Sequence, residues 1–186
     1  MQAQNPEREF TSNRPPLPGQ RFPGLGLGKN VFGVLKNASK RLDLGAIVSV
    51  PSYFHNALFY SDGFTFIDPQ YEGIFRAIVR DTIDHLIATY DFKRSTAVSA
   101  TTWAFEWNLV VDQDGMPFPW FHEPMFVPTS KSLQKWIDGT FYSEQVKLGE
   151  EQSFSLDLDR LLMKLHAVGI RPFDTAKLKT WMEANT

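Results

Sequence analysis

The chain contains no cysteine. Disulfides, thiolate zinc sites and a thiol nucleophile are therefore excluded, and the absence suits a cytoplasmic setting. No apolar run is long enough to span a bilayer. The polar stretch 1–13 lacks the apolar core of a signal peptide. A dominant charge is missing too: 19 Lys and Arg stand against 21 Asp and Glu, a net charge of −2. So balanced a chain argues against a dedicated nucleic-acid binder, which would be basic. Histidine is scarce, and none of the four has another three or four residues away. A zinc site of three or four ligands is therefore not expected. The expectations are no metal, no membrane and no nucleic acid.

Aromatics are abundant instead: 16 Phe, 5 Trp and 5 Tyr in 186 residues. They can fill a core and line a pocket or a partner surface. The length suggests one globular domain. Residues 1–19, with their prolines, read as an irregular arm before a domain at 20–186. The segment Arg14-Pro15-Pro16-Leu17-Pro18 favours extended polyproline-like backbone.

Apolar spacing predicts a helix over 29–42, with Val31, Phe32, Leu35, Ala38 and Leu42 on one face. A buried strand is expected at 46–50, then a helix capped by Ser52 and running to Ser61, then a strand at 64–67. A long helix should follow over 70–90. Residues 96–121 read as a β-hairpin whose first arm, 97–111, places Trp103, Phe105, Trp107 and Leu109 on one face. Asp112-Gln113-Asp114-Gly115 would be its turn, and Pro117 and Pro119 would make the return arm an edge. A helix capped by Ser130 or Ser132, an ambiguous 141–148, a helix ended by Gly169 and a last one capped by Asp174 complete the pattern. The fold class expected is α/β (α+β).

The most telling stretch is Arg21-Phe22-Pro23-Gly24-Leu25-Gly26-Leu27-Gly28-Lys29. A glycine-rich turn opening a helix aims unpaired N–H groups at one point, where the helix dipole favours an anion. Arg21-Phe22-Pro23-Gly24-Leu25-Gly26 fits the (Gln/Arg)-x-x-Gly-x-(Gly/Ala) loop of the GCN5-related N-acetyltransferases. A helix, a strand and then Asn56-Ala57-Leu58-Phe59-Tyr60-Ser61-Asp62-Gly63-Phe64 follow in that family's order. The chain resembles the family over about 20–68, an acetyltransferase-like core. Residues 69–186 would add a helix, the hairpin and C-terminal helices.

The resemblance implies a coenzyme A-dependent acyltransferase, taking acetyl-CoA or another acyl-CoA, or a divergent coenzyme A-binding relative. The backbone of Gly24, Leu25, Gly26, Leu27 and Gly28 would cradle the pyrophosphate. Arg21 and Lys29 would add positive charge, Asn56 would reach the pantetheine arm, and Tyr60 would protonate the leaving thiolate. In the family the acid stands four residues before the Gly, here Phe59, and Tyr60 comes one later. Family members also carry three or four strands before the loop, where this chain has some twenty residues rich in proline. If the hairpin replaces those strands, Glu106 is the first candidate for the general base; otherwise it is a solvated strand residue.

Without those strands the sheet would expose an edge, which predicts a homo-oligomer or a protein partner covering it. The alternative function is a non-catalytic binding or assembly protein built on the same scaffold. A small-molecule enzyme using His122 and Glu123 is the weaker third reading. His55, beside Asn56, reads as a packed or surface histidine before a catalytic one.

Overall fold

A computed structural model of the chain describes residues 4–11 and 13–167. The fold is mixed α+β, with helices and two small antiparallel sheets among the described residues. The elements in chain order are α1 (Gly28–Arg41), β1 (Ala46–Ser49), α2 (Phe54–Tyr60), β2 (Thr65–Phe66), α3 (Pro69–Ile78), a π-helical segment (Val79–Asp84), α4 (His85–Tyr90), α5 (Arg94–Glu106), β3 (Val110–Asp112), β4 (Met125–Pro128), α6 (Lys131–Ile137), α7 (Thr140–Glu150), β5 (Phe154–Leu156) and α8 (Leu158–Ala167). They fall into two compact units. The first comprises Met1–Gly24, Arg80–Pro119 and Phe154–Thr186; the second comprises Leu25–Val79 and Trp120–Ser153.

In the second unit β4 is the centre of a three-stranded sheet, with β1 and β2 on its two sides. Both pair with it antiparallel, Ile47 opposite Val127 and Phe66 opposite Met125. β1 and β2 therefore run the same way, and α2 is the connection between them. Phe54, Phe66, Phe75 and Trp120 interlock beneath, with ring centroids 5.3 Å apart for Phe66 and Phe75 and 5.5 Å for Phe54 and Trp120. Asp68 starts α3 by accepting from the Gln70 N–H at 2.8 Å, with Pro69 in the first turn. Ser130 caps α6 through the Leu133 N–H. The ambiguous 141–148 lies within α7.

A buried polar network ties β2, α3 and α7 together. Glu72 accepts from the Phe66 N–H at 3.0 Å and from Arg76 Nε at 2.9 Å. Thr65 Oγ1 donates to Glu72 at 2.9 Å and lies 2.6 Å from the Tyr142 hydroxyl, which donates to the Phe66 carbonyl at 2.8 Å. Burial pushes the Tyr142 hydroxyl up to about 12, so it remains a donor at neutral pH. Removing Glu72 would leave the buried Phe66 N–H without its acceptor, while the exposed Arg76 keeps Glu150 at 3.2 Å. Glu72→Ala is expected to cost about 2 kcal/mol, read as a lowered urea midpoint with unchanged slope.

The first unit is built on α5, and here the expected hairpin is corrected. Residues 97–111 do not form a strand: α5 covers Arg94–Glu106, and only β3 is extended. Nearly every residue of α5 from Thr96 to Phe105 is buried, so it shows no polar face. A helix covered on all sides has no amphipathic period to read, and its Thr, Val and Trp content mimics a strand. Trp103 and Trp107 do not share a strand face with Phe105 and Leu109. They stack one helical turn apart, centroids 4.9 Å.

What remains of the hairpin is the turn after β3. Asp112 Oδ1 accepts from the Asp114 and Met116 N–H groups, Gly115 has φ +74°, and Pro117 bridges to Val111. β3 pairs instead with β5, which has no signal in the expected pattern. Burial alone would raise the Asp81 carboxyl. Hydrogen bonds from Arg80 and from the Phe154 N–H, at the start of β5, hold it below the usual carboxylate range instead. The arm is irregular in backbone yet packed: Pro15, Leu17 and Pro18 are buried. The Pro16 carbonyl accepts from Ser99 Oγ at 2.8 Å and Trp103 Nε1 at 3.1 Å. The expected stop at Gly169 and the helix capped by Asp174 lie outside the described residues.

Candidate functional site

The glycine-rich stretch begins in the first unit and ends in the second. In the first unit the Arg21 and Phe22 N–H groups both donate to Gln4 Oε1, at 2.9 and 2.8 Å. Asn5 donates to the Pro23 carbonyl at 2.8 Å, and Gly24 faces Gln4 in an antiparallel bridge. The leading amides are thus engaged by the arm, so Arg21 to Lys29 is not one continuous array of free donors.

The open donors stand at the start of α1. Gly26 has φ +75°, a conformation that favours glycine. A side chain added at Gly26 or Gly28 would meet nothing within 4 Å. Leu25 and Leu27 are exposed. Leu27 is the N-cap and gives no side-chain cap, and no acidic residue stands in the first turn. Among the described residues the Gly28 and Asn30 N–H groups have no partner, and Val31 is the first to bond back, to the Leu27 carbonyl at 3.1 Å. This is a helix end whose partial positive charge is uncompensated.

α2 carries the other two residues of the second unit. Its N-cap is Tyr53 rather than the expected Ser52, and no side chain bonds there. Asn56 and Tyr60 are four apart and share a face. The Tyr60 ring meets Phe32 of α1 edge-on at 5.1 Å, so this face lies beside the first turns of α1. Neither the Asn56 carboxamide nor the Tyr60 hydroxyl has a hydrogen-bond partner among the described residues. Phe59 is exposed.

Glu106 is the last residue of α5, exposed, and belongs to the first unit. The strand face expected to present it does not exist. Tyr60 and Glu106 therefore stand in different units.

His55 is packed. It is fully buried, stacked on Tyr53 at 5.4 Å and edge-on to Phe59 at 5.8 Å. Neither ring nitrogen has a partner among the described residues. Burial lowers its pKa to about 4, so the ring is neutral at physiological pH. His122 is exposed. Asp81 pairs with Arg80 at 2.6 Å, while His85 Nδ1 lies 3.4 Å from Thr89 Oγ1. Among the described residues no three His, Asp or Glu side chains are placed to hold a metal ion, and no helix is long and apolar enough to cross a membrane.

The apolar stripe of α1 lies largely open: Val31, Leu35, Ala38 and Leu42 are exposed, as is Val34. The covered side is Phe32 and Ser39, the latter 3.4 Å from Thr129 Oγ1. An amphipathic pattern announces that a face needs cover but not that the same fold supplies it. No protein-family model, curated protein or solved structure matches the chain.

Proposed function

We propose that the chain binds coenzyme A or an acyl-CoA at the start of α1, as a divergent member of the acetyltransferase-like class, with acyl transfer as its reaction. The observation that carries this reading is the exposed, uncapped N-terminus of α1 behind Gly26. A diphosphate needs converging N–H donors, partial positive charge and backbone it can approach closely. The start of α1 offers the unpartnered Gly28 and Asn30 N–H groups, the helix dipole, and open glycine backbone at Gly26 and Gly28. Asn56 and Tyr60, unpaired and beside α1, supply an amide for the pantetheine arm and a hydroxyl for a leaving thiolate. The order loop, α1, β1, α2, β2 agrees with the resemblance. Arg21, Gly24 and Glu106 lie in the first unit and are not needed for this binding step.

Calorimetry with coenzyme A tests the reading. Gly28→Glu is the informative variant, because an acidic first turn favours the helix while repelling a diphosphate. The expected result is micromolar binding that Gly28→Glu weakens about tenfold or more, a loss of roughly 1.4 kcal/mol, with an unchanged or raised melting midpoint. Absence of binding at millimolar coenzyme A overturns the proposal. For the reaction, Tyr60→Phe should lower turnover of acetyl-CoA with an amine panel about a hundredfold and leave coenzyme A affinity intact. The second reading, a non-catalytic assembly protein, is favoured by the exposed apolar face of α1.

A further inference from the structure

We infer that the open edge of β1, with the outward face of α1, is a docking site for an extended, acidic segment of a partner polypeptide. The inference is independent of coenzyme A binding. Among the described residues β4 is the one strand paired with β1. The Gly45 carbonyl accepts from the Thr129 N–H at 3.0 Å. In an antiparallel ladder this makes Ile47 with Val127 and Ser49 with Met125 the bonded pairs. The N–H and C=O groups of Ala46 and Val48 therefore point to the open side. Such a row of unpaired backbone groups is a template for another strand.

The side chains around this edge are apolar and uncovered. Val48 and Val50 are 57% and 56% exposed. On α1, which packs beside β1, Val34 and Leu42 reach 68% and 69%. Several such residues on adjoining elements exceed the scattered single exposures normal for a surface.

Charge selects the occupant. Lys36, Lys40 and Arg41 of α1 are exposed and make no ion pair among the described residues. α1 itself contains no acidic residue. A second copy docked here would set these cations against their own kind, whereas acidic residues flanking an apolar strand would meet them. A bilayer would cover the apolar side chains but offers no partners for the Ala46 and Val48 backbone.

The test uses the full chain and two blocked peptides of alternating valine and threonine, one flanked by glutamates and one by lysines. Fluorescence anisotropy should show saturable binding of the acidic peptide and at least about tenfold weaker binding of the basic one. Val48→Pro removes only an outward N–H, so it should abolish binding with little change in the melting midpoint. Lys36→Glu with Lys40→Glu, at exposed helical positions, should reverse the preference between the peptides. The inference is overturned if neither peptide binds, or if both bind alike. It is also overturned if sedimentation shows dimerisation that Val48→Pro abolishes, or if anionic vesicles bind equally to the chain and to Val48→Pro.

Discussion

Valine in place of Gly149 is expected to leave the chain largely unfolded at 25 °C. Gly149 of α7 and Gly73 of α3 face each other where the two helices cross. A Cβ on Gly149 would collide with the Gln70 carbonyl oxygen and stand 2.7 Å from the Ile74 nitrogen. A Cβ on Gly73 would collide with the Val146 carbonyl oxygen and stand 2.8 Å from the Glu150 nitrogen. The obstacles are backbone atoms in regular helices, so no rotamer change relieves the overlap. The helices must separate, which opens the packing around Tyr142 and Val146 and strains the Glu72 network. The expected cost is about 4 kcal/mol or more, beyond ordinary overpacking and comparable to the whole stability of a marginal domain.

Alanine at either position should be severe as well. The Gly73→Ala, Gly149→Ala double variant should cost much less than the sum of the singles, because one separation accommodates both side chains. Gly33→Ala is the control. It sits in exposed α1 with nothing within 4 Å of the added carbon, and should stabilise by about 0.5–1 kcal/mol. Urea midpoints followed by circular dichroism measure all of them. A Gly149→Val variant as stable as the parent would refute the crossing geometry.

Neither glycine announces this role in the sequence. Gly73 sits inside an expected helix and Gly149 just past the ambiguous 141–148, and their significance comes from an encounter between positions 73 and 149. The same non-locality hid β4 as the partner of β1, since Ile47 and Val127 are joined by contacts no short window contains. What was legible was locally punctuated. The loop, α1, β1, α2 and β2 follow from glycines, prolines and apolar periods within 20–68, and Asp68-Pro69 marks the start of α3. α5 failed for the opposite reason, because burial on every side erased its period. At the candidate site the sequence placed Asn56 and Tyr60 on one helix at a four-residue spacing, and the structure sets that face beside α1. It could not disclose that Gln4 engages the Arg21 and Phe22 amides, because side-chain capture of backbone donors leaves no pattern. Nor could it place Glu106, whose role depended on a strand that tertiary packing turned into a helix.

His55 carries the other large expected effect, a loss of stability at mildly acidic pH. The ring is fully buried between Tyr53 and Phe59 with both nitrogens unpartnered. Desolvation takes its pKa from 6.5 to about 4. The unfolded chain therefore accepts a proton at this position before the folded one does. Above pH 6.5 both states are neutral and no penalty arises. Between pH 6.5 and 4 the unfolded state binds more protons, and stability falls by about 1.4 kcal/mol per pH unit. That amounts to about 2 kcal/mol by pH 5 and about 3 kcal/mol by pH 4, below which both states are protonated and the loss levels off. The depressed Asp81 carboxyl acts in the same direction but from 3.8 downward, outside this window.

His55→Phe should remove this slope. It should also leave stability at pH 7.5 unchanged or improved, because replacing an unpaired buried polar ring by an apolar one of similar shape removes a desolvation penalty. Urea unfolding of both chains at pH 7.5, 6 and 5 gives the comparison. Parallel pH profiles for the two chains would mean that His55 reaches a proton acceptor or solvent in the folded state, and that the Tyr53–His55–Phe59 stack is not closed.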